Sequence, residues 1–208
     1  MAFSDFHYPD VVRQLGLTWR TEPDFFANVP ETPSARTFRE TLDIGARLAA
    51  TINTEKARSE WMVAPVLGEF WWRYRGQISL FSGADFQADP ASGLTGFCDF
   101  LIGRAPQQPD ILAPAVVIFE AKRENIIDGL GQCIAGMVGA QRFNQRHGTP
   151  ADPVFGCITT GTVWKFLHLS GVTVTFDLVE YQLHQVDKLL GVLTHIIGPV
   201  PTPIPTAA

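Results

Sequence analysis

Hydrophobic and polar positions alternate between two periods along this chain, and the places where the period changes mark its predicted elements. From Ser34 to about Asn53, Phe38, Leu42, Ile44–Gly45, Leu48–Ala49 and Ile52 recur at helical spacing. A second helix is predicted from about Thr54 to Tyr74, with Thr54 as its cap and Glu55 in the first turn, where the helix dipole favours an acid. Trp61, Val63–Ala64, Leu67 and Trp71 form its apolar face, and Pro65 falls inside the pattern, where it should kink or split the helix.

The period then drops to two. Gln77–Phe86 and Leu94–Ile102 read as strands, and Asp89-Pro90-Ala91-Ser92-Gly93 between them is turn chemistry, so the pair is expected to form a hairpin. After a polar loop over 103–114 comes Val116-Val117-Ile118-Phe119, a run with the character of a buried strand, ending in Glu120-Ala121-Lys122. A helix follows from about Glu124 to His147. It is rich in small residues between Gly129 and Ala140, a composition suited to close approach of a helix to a sheet. Val154–Thr160, Val163–Leu169 and Val172–Leu178 read as two or three further strands, and Leu183–Ile197 as an amphipathic closing helix.

The ends of the chain are different in character. Residues 1–33 mix aromatics, prolines and acids, with a short helix expected after Pro9, and read as an N-terminal arm on the main body. The Pro-rich stretch 199–208 reads as a flexible tail. With no internal repeat, the 208 residues are expected to make one domain.

Composition narrows the function classes. A hydrophobic content of 46% with 18% charged residues is globular. The formal net charge of −5 argues against a broad, non-specific coating of nucleic acid, though not against a local basic cleft. Cys98, Cys133 and Cys157 stand far apart, with neither zinc-ligand spacing nor an even count for a disulfide framework, so each is expected to act as a small buried apolar residue. No signal peptide and no membrane-spanning run is visible, and a cytoplasmic protein is the expectation. The five histidines are scattered without ligand spacing, and Trp164 and Phe166 read as core.

Two features carry chemistry. Glu120 and Lys122 are two apart on a strand and therefore point the same way. Asp99 lies inside an apolar strand, Gly96-Phe97-Cys98-Asp99-Phe100-Leu101-Ile102, where an acid must be paired, protonated or holding a cation. The order of elements, with Asp99, then Glu120-Ala121-Lys122, a helix-borne acid upstream (Glu60 before Glu69) and Gln132 downstream, resembles the PD-(D/E)XK nuclease superfamily, the restriction-endonuclease-like fold. The likeness covers roughly residues 55–169. The whole chain is also similar to small bacterial members of that superfamily, through Arg58-Ser59-Glu60, the Cys98-Asp99-Phe100 segment, Glu120-Ala121-Lys122-Arg123 and Thr159 to Phe166. No proline precedes Asp99, which departs from the eponymous motif.

The resemblance implies an α/β (α+β) fold with a central mixed sheet of four to five strands flanked by helices. It implies hydrolysis of phosphodiester bonds, DNA being the expected substrate, by a water activated by Mg²⁺, with Mn²⁺ as a substitute. Asp99, Glu120, the Ala121 carbonyl and Glu60 are the implied metal ligands. Lys122 would orient the attacking water and stabilise developing charge, and Gln132 would position Lys122 or contact the substrate backbone. Arg123, Arg142 and Lys165 are candidate phosphate contacts. The alternative is a catalytically inactive module of the same fold that serves as a protein- or nucleic-acid-interaction subunit. A domain this small leaves little room for sequence readout, so a homodimer or a partner subunit is expected, and no membrane.

Overall fold

The structure is a computed structural model that describes residues 2–198; the predicted flexible tail, 199–208, lies outside the described residues. The fold is mixed α/β: one large mixed sheet with helices on both faces. Among the described residues the sheet has eight strands, more than the four to five expected. They are β1 (Thr18–Glu22), β2 (Ser79–Asp89), β3 (Leu94–Gly103), β4 (Ala115–Ala121), β5 (Val154–Thr159), β6 (Val163–Ser170), β7 (Thr173–Asp177) and β8 (Tyr181–Gln182). The spatial order is β1-β7-β6-β5-β4-β3-β2, with β8 beside β6. β4 pairs in parallel with β5 and β1 in parallel with β7, and the other pairs are antiparallel.

Much of the excess comes from one end of the order. The third run after residue 150 forms β7, and the N-terminal arm supplies β1 at its edge, registered from Thr18↔Thr173 to Glu22↔Asp177. The arm therefore completes the sheet as well as packing on it. Phe3, Phe6 and Val11 are buried against the face that also carries the long helix α5 (Ile127–Arg146).

β4 sits inside the sheet between β3 and β5, and all seven of its residues are buried. Burial on both faces explains its unbroken apolar run. One face meets α2 (Arg36–Ile52), the segment from α3 (Glu55–Arg58) to α4 (Ala64–Arg73), and the closing helix α6 (Val186–Ile197); Phe119, Trp164 and Phe166 lie in that core. The other meets α5 and the arm, with Ile118 and Ile158 in its core. α5 runs back along β4: a Cβ on Gly136 would meet Ile118, and the Asn144 amide bridges the N–H and C=O of Ala115 at 2.8 and 2.7 Å.

The predicted helices form, but two buried faces differ from the pattern. In α2 only Leu42, Gly45 and Ala49 are buried, whereas Ile44, Leu48 and Ile52 are exposed. The second helix is split, as Pro65 predicts, by a π-helical turn over Ser59–Val63. Pro65 has no N–H to give the Trp61 carbonyl one turn back, and a Cβ on Gly45 would lie 2.8 Å from that oxygen, so α2 packs directly against the break. The wider turn shifts the phase of the apolar stripe. Met62, Val63, Val66, Leu67 and Phe70 are buried, and Trp61, expected on the core face, is 46% exposed.

Candidate active site

The site forms where β3 and β4 part. Their ladder pairs Phe100 with Phe119, and beyond that pair the side chain of Asp99 takes over the backbone's role. Its Oδ2 accepts the Ala121 N–H at 2.7 Å. On the other side β4 stays in register with β5 as far as Ala121↔Thr159, and the Lys122 N–H then donates to the Thr159 carbonyl at 2.8 Å. The end of β4 is thus held by a carboxylate on one side and a strand on the other, which fixes the backbone from which Glu120 and Lys122 project.

Those two side chains meet, as their spacing requires. Lys122 Nζ donates to Glu120 Oε1 at 2.5 Å, with the Glu120 side chain 3% exposed and that of Lys122 20%. The first turn of α5 closes over them. A Cβ on Gly129 would lie 2.9 Å from Ile158 Cγ2, 3.2 Å from Glu120 Cγ and 3.3 Å from Lys122 Cε. Any larger residue at position 129 would push the helix away from the pair or displace its methylenes.

Burial and crowding set the charge state. Burial, followed by repulsion from Asp99, pushes the Glu120 carboxyl up to about 8, against the ordinary 4.5; Lys122 opposes the shift without cancelling it. The Asp99 carboxyl is also raised, by burial first, with the Ala121 N–H and Lys122 pulling the other way. Burial pushes the Lys122 ammonium down, but Glu120, Glu55 and Asp99 together outweigh it and the net direction is up. The two shifts of the pair conflict: a raised lysine presupposes an anionic glutamate, and a glutamate near 8 holds its proton at neutral pH. The direction for Glu120 prevails, because its carboxyl is the more deeply buried and a second carboxylate faces it.

Glu55 is a member of the site that the sequence pattern places only as a dipole-favoured acid at a helix start. Its charge acts on both Glu120 and Lys122. The Thr54 side chain caps its helix, accepting the Ala57 N–H at 3.1 Å. Arg58 ties that helix to the sheet, donating to the Thr160 carbonyl at 2.9 Å and to Asn53 Oδ1 at 3.1 Å. Glu60, the upstream acid singled out by the sequence, turns back to Lys56 at 3.0 Å and is 54% exposed. Position in a capped first turn was the available signal for Glu55, and Lys56, four residues before Glu60, was the available signal that Glu60 pairs along its own helix. Gln132 is half-buried one turn beyond Gly129, and the Lys122 ammonium goes to Glu120 instead.

The candidate phosphate contacts do not converge. Arg123 is bound to Glu124 at 2.7 Å. Arg142 is bound to Asp89 at 2.9 Å, thirteen residues along α5 from Gly129, about 20 Å at 1.5 Å per residue. Lys165 Nζ donates to the Leu178 carbonyl at 2.9 Å and lies 3.7 Å from Glu180. Each cation already has an acceptor, so none stands free for a phosphate.

A small hard cation fits the donor set sparingly. Among the described residues no group of three or more His, Cys, Asp or Glu side chains stands ready to hold a metal. Asp99 and Glu120 with the Ala121 carbonyl would have to serve, and Mg²⁺, which keeps several of its waters, tolerates such a set. The raised Glu120 and Asp99 mark the end of β4 as short of positive charge, which is what a divalent cation adds.

The three cysteines are free and buried, as their spacing suggested. Among the described residues no helix is long and apolar enough to cross a membrane. The chain matches no protein-family model, no curated protein and no solved structure.

Proposed function

We propose that the chain is a metal-dependent nuclease that hydrolyses phosphodiester bonds of nucleic acid, DNA first. The observation that carries this reading is the meeting of Asp99, Glu120 and Lys122 at the end of one buried strand, with Glu120 held above the ordinary carboxylate range. Burying two carboxyls beside an ammonium gains little for stability alone, since each group must be desolvated; a cluster of perturbed carboxylates is expected where function needs one. Asp99, Glu120 and the Ala121 carbonyl would hold Mg²⁺ or Mn²⁺, which would supply a Lewis acid for the scissile phosphate and lower the pKa of water. Glu120 would ligate as a carboxylate, its proton passing to solvent, and Lys122 would then be available to donate to the attacking oxygen or to the phosphate as charge develops. Glu55 is better disposed than Glu60 to hydrogen-bond to water there. Gln132 is assigned to orienting Lys122.

The test is cleavage of plasmid and oligonucleotide DNA with Mg²⁺ and with Mn²⁺. Wild type is expected to cut, and Glu120→Gln and Lys122→Ala to lose activity while remaining folded. Full activity in either variant refutes the assignment.

The second reading, a catalytically inactive module of the same architecture that binds protein or nucleic acid, is favoured by one observation: Arg123, Arg142 and Lys165 are each already satisfied within the protein. Absence of both cleavage and divalent-cation binding in wild type selects it. In either reading we place the protein in the cytoplasm, as a homodimer or with a partner subunit.

A further inference from the structure

A cleft of about 420 Å³ opens beside the end of β4, between the 124–127 segment and strands β6 and β7. This is within the roughly 300–1,000 Å³ of small-ligand sites. It adjoins the candidate site through the backbone: Thr160 lines it, and the carbonyl of Thr159 receives the Lys122 N–H. Ile126, Ile127 and Phe176 give it an apolar wall, and Ile127 is 52% exposed although it opens a helix. Glu124, Glu180 and Lys165 supply its charge.

The balance of that charge decides what fits. Lys165 already donates to the Leu178 carbonyl and hangs 5.0 Å from the centre of the Phe176 ring. Glu124 is held by Arg123, whereas Glu180 is 54% exposed and only 3.7 Å from Lys165. With Glu124 paired to Arg123 and Lys165 committed to the Leu178 carbonyl, the cleft has no net positive charge to draw a phosphate, and Glu180 is its most available acceptor. Such an acceptor suits a flat, neutral ring that stacks on an apolar wall and carries N–H donors at its edge.

We propose that this cleft is the subsite for an unpaired, amino-bearing nucleobase next to the scissile phosphate, with Glu180 accepting from the exocyclic amine. The inference rests on the nuclease reading and narrows it. A base can enter the cleft only when unpaired, so the substrate is single-stranded or locally opened. Cytosine, adenine and guanine offer the amine; thymine and uracil have none, and their single N3–H is flanked by two carbonyl oxygens that face the carboxylate unfavourably. Arg123, Arg142 and Lys165 each already have an acceptor within the protein, which agrees with this, because stacking then replaces part of the phosphate attraction that a duplex binder needs.

The experiment is fluorescence anisotropy with labelled dC12, dT12 and the dC12·dG12 duplex at pH 8, with Ca²⁺ as the divalent cation, alongside cleavage of the same strands with Mg²⁺. Wild type is expected to bind dC12 about fivefold or more tightly than dT12 or duplex. Glu180→Ala should bring dC12 within about twofold of dT12, and Ile127→Trp, which fills the cleft, should weaken dC12 about tenfold. Both side chains are more than half exposed, so neither change threatens the fold. Equal affinity for dC12 and dT12, an unchanged ratio in Glu180→Ala, or no binding overturns the subsite. Discrimination in binding without cleavage of any strand upholds the subsite and overturns the nuclease reading. Equal cleavage of all three substrates does the reverse.

Discussion

Replacing Glu120 with Gln removes one titrating proton and little volume, so its effect can be worked out from the geometry of the β4 end. In the folded protein the carboxyl holds its proton up to about pH 8, and in the unfolded chain up to about 4.5. The folded state therefore binds more protons across that window. Stability must fall as pH rises through it, by at most about 1.4 kcal/mol per pH unit. The whole window is worth about 5 kcal/mol, of which the span from pH 6.5 to 8 accounts for about 2 kcal/mol. Asp99, shifted in the same direction, adds to the trend at its acid end. Glutamine has nothing to titrate. Urea denaturation at pH 6.5, 7.25 and 8 in EDTA, at constant ionic strength, should show the wild-type midpoint falling and that of Glu120→Gln nearly level. Absolute stabilities are a poorer guide, since glutamine also replaces the carboxyl oxygen that accepts from the Lys122 ammonium. Slopes that differ by less than about 0.3 kcal/mol per pH unit, against the roughly 1.4 available, would refute a buried, proton-holding Glu120. Adding Mg²⁺ at pH 8 should restore the wild-type midpoint and leave the variant unmoved.

Other changes test the scaffold and the remaining site residues. Asp99→Ala leaves the Ala121 N–H without its acceptor and should cost about 1–3 kcal/mol, most of it recovered in Asp99→Asn, as measured by denaturant melts. Gly131→Ala would drive a methyl into the Phe6 backbone and should destabilise by about 1–3 kcal/mol, whereas Gly68→Ala, with nothing nearby, should not. Glu55→Ala should weaken Mg²⁺ binding measured by calorimetry and Glu60→Ala should not, since Glu55 alone of the two bears on Glu120 and Lys122. Burial holds the His168 imidazole below its ordinary 6.5 against the pull of Glu22 and Asp152. Its folded form resists protonation, so its own contribution to stability should be complete above pH 6.5 and decline below it, opposite in sign to that of Glu120. His168→Gln should flatten that acid limb in thermal melts.

The strands and helices of the core were legible because each carries one dominant physical demand. β4 is apolar without a break since both of its faces are covered, and β2–β3 alternates around unmistakable turn chemistry. The partnership of Glu120 and Lys122 followed from strand alternation alone. Three things were not legible, and each depends on distant chain. β1 is a five-residue stretch, Thr-Trp-Arg-Thr-Glu, with a single partly buried side chain; only the edge of β7 makes it a strand. The exposure of Ile44, Leu48 and Ile52 depends on which side of α2 meets the break at Pro65. That Glu55 bears on Glu120 and Lys122 follows from how Arg58 ties its helix to the Thr160 carbonyl, 102 residues away in sequence, a contact that periodicity does not register.

The edge pairing of β1 also sets the timetable of synthesis. Thr18 and Thr173 are partners, and the 154 positions between them hold nearly the whole sheet. At roughly 5–20 residues per second on a ribosome, the first strand waits on the order of 10–30 s for its neighbour to be made. Until Arg146 has been made Phe3, Phe6 and Val11 have no complete α5 to cover them, and throughout the interval β1 has no edge to join. Closing so long a loop is among the slowest steps a small protein takes. The nascent chain thus carries its own N-terminal segment as an unfinished surface until almost the last strand has emerged, and the sheet is sealed from both ends of the chain at once.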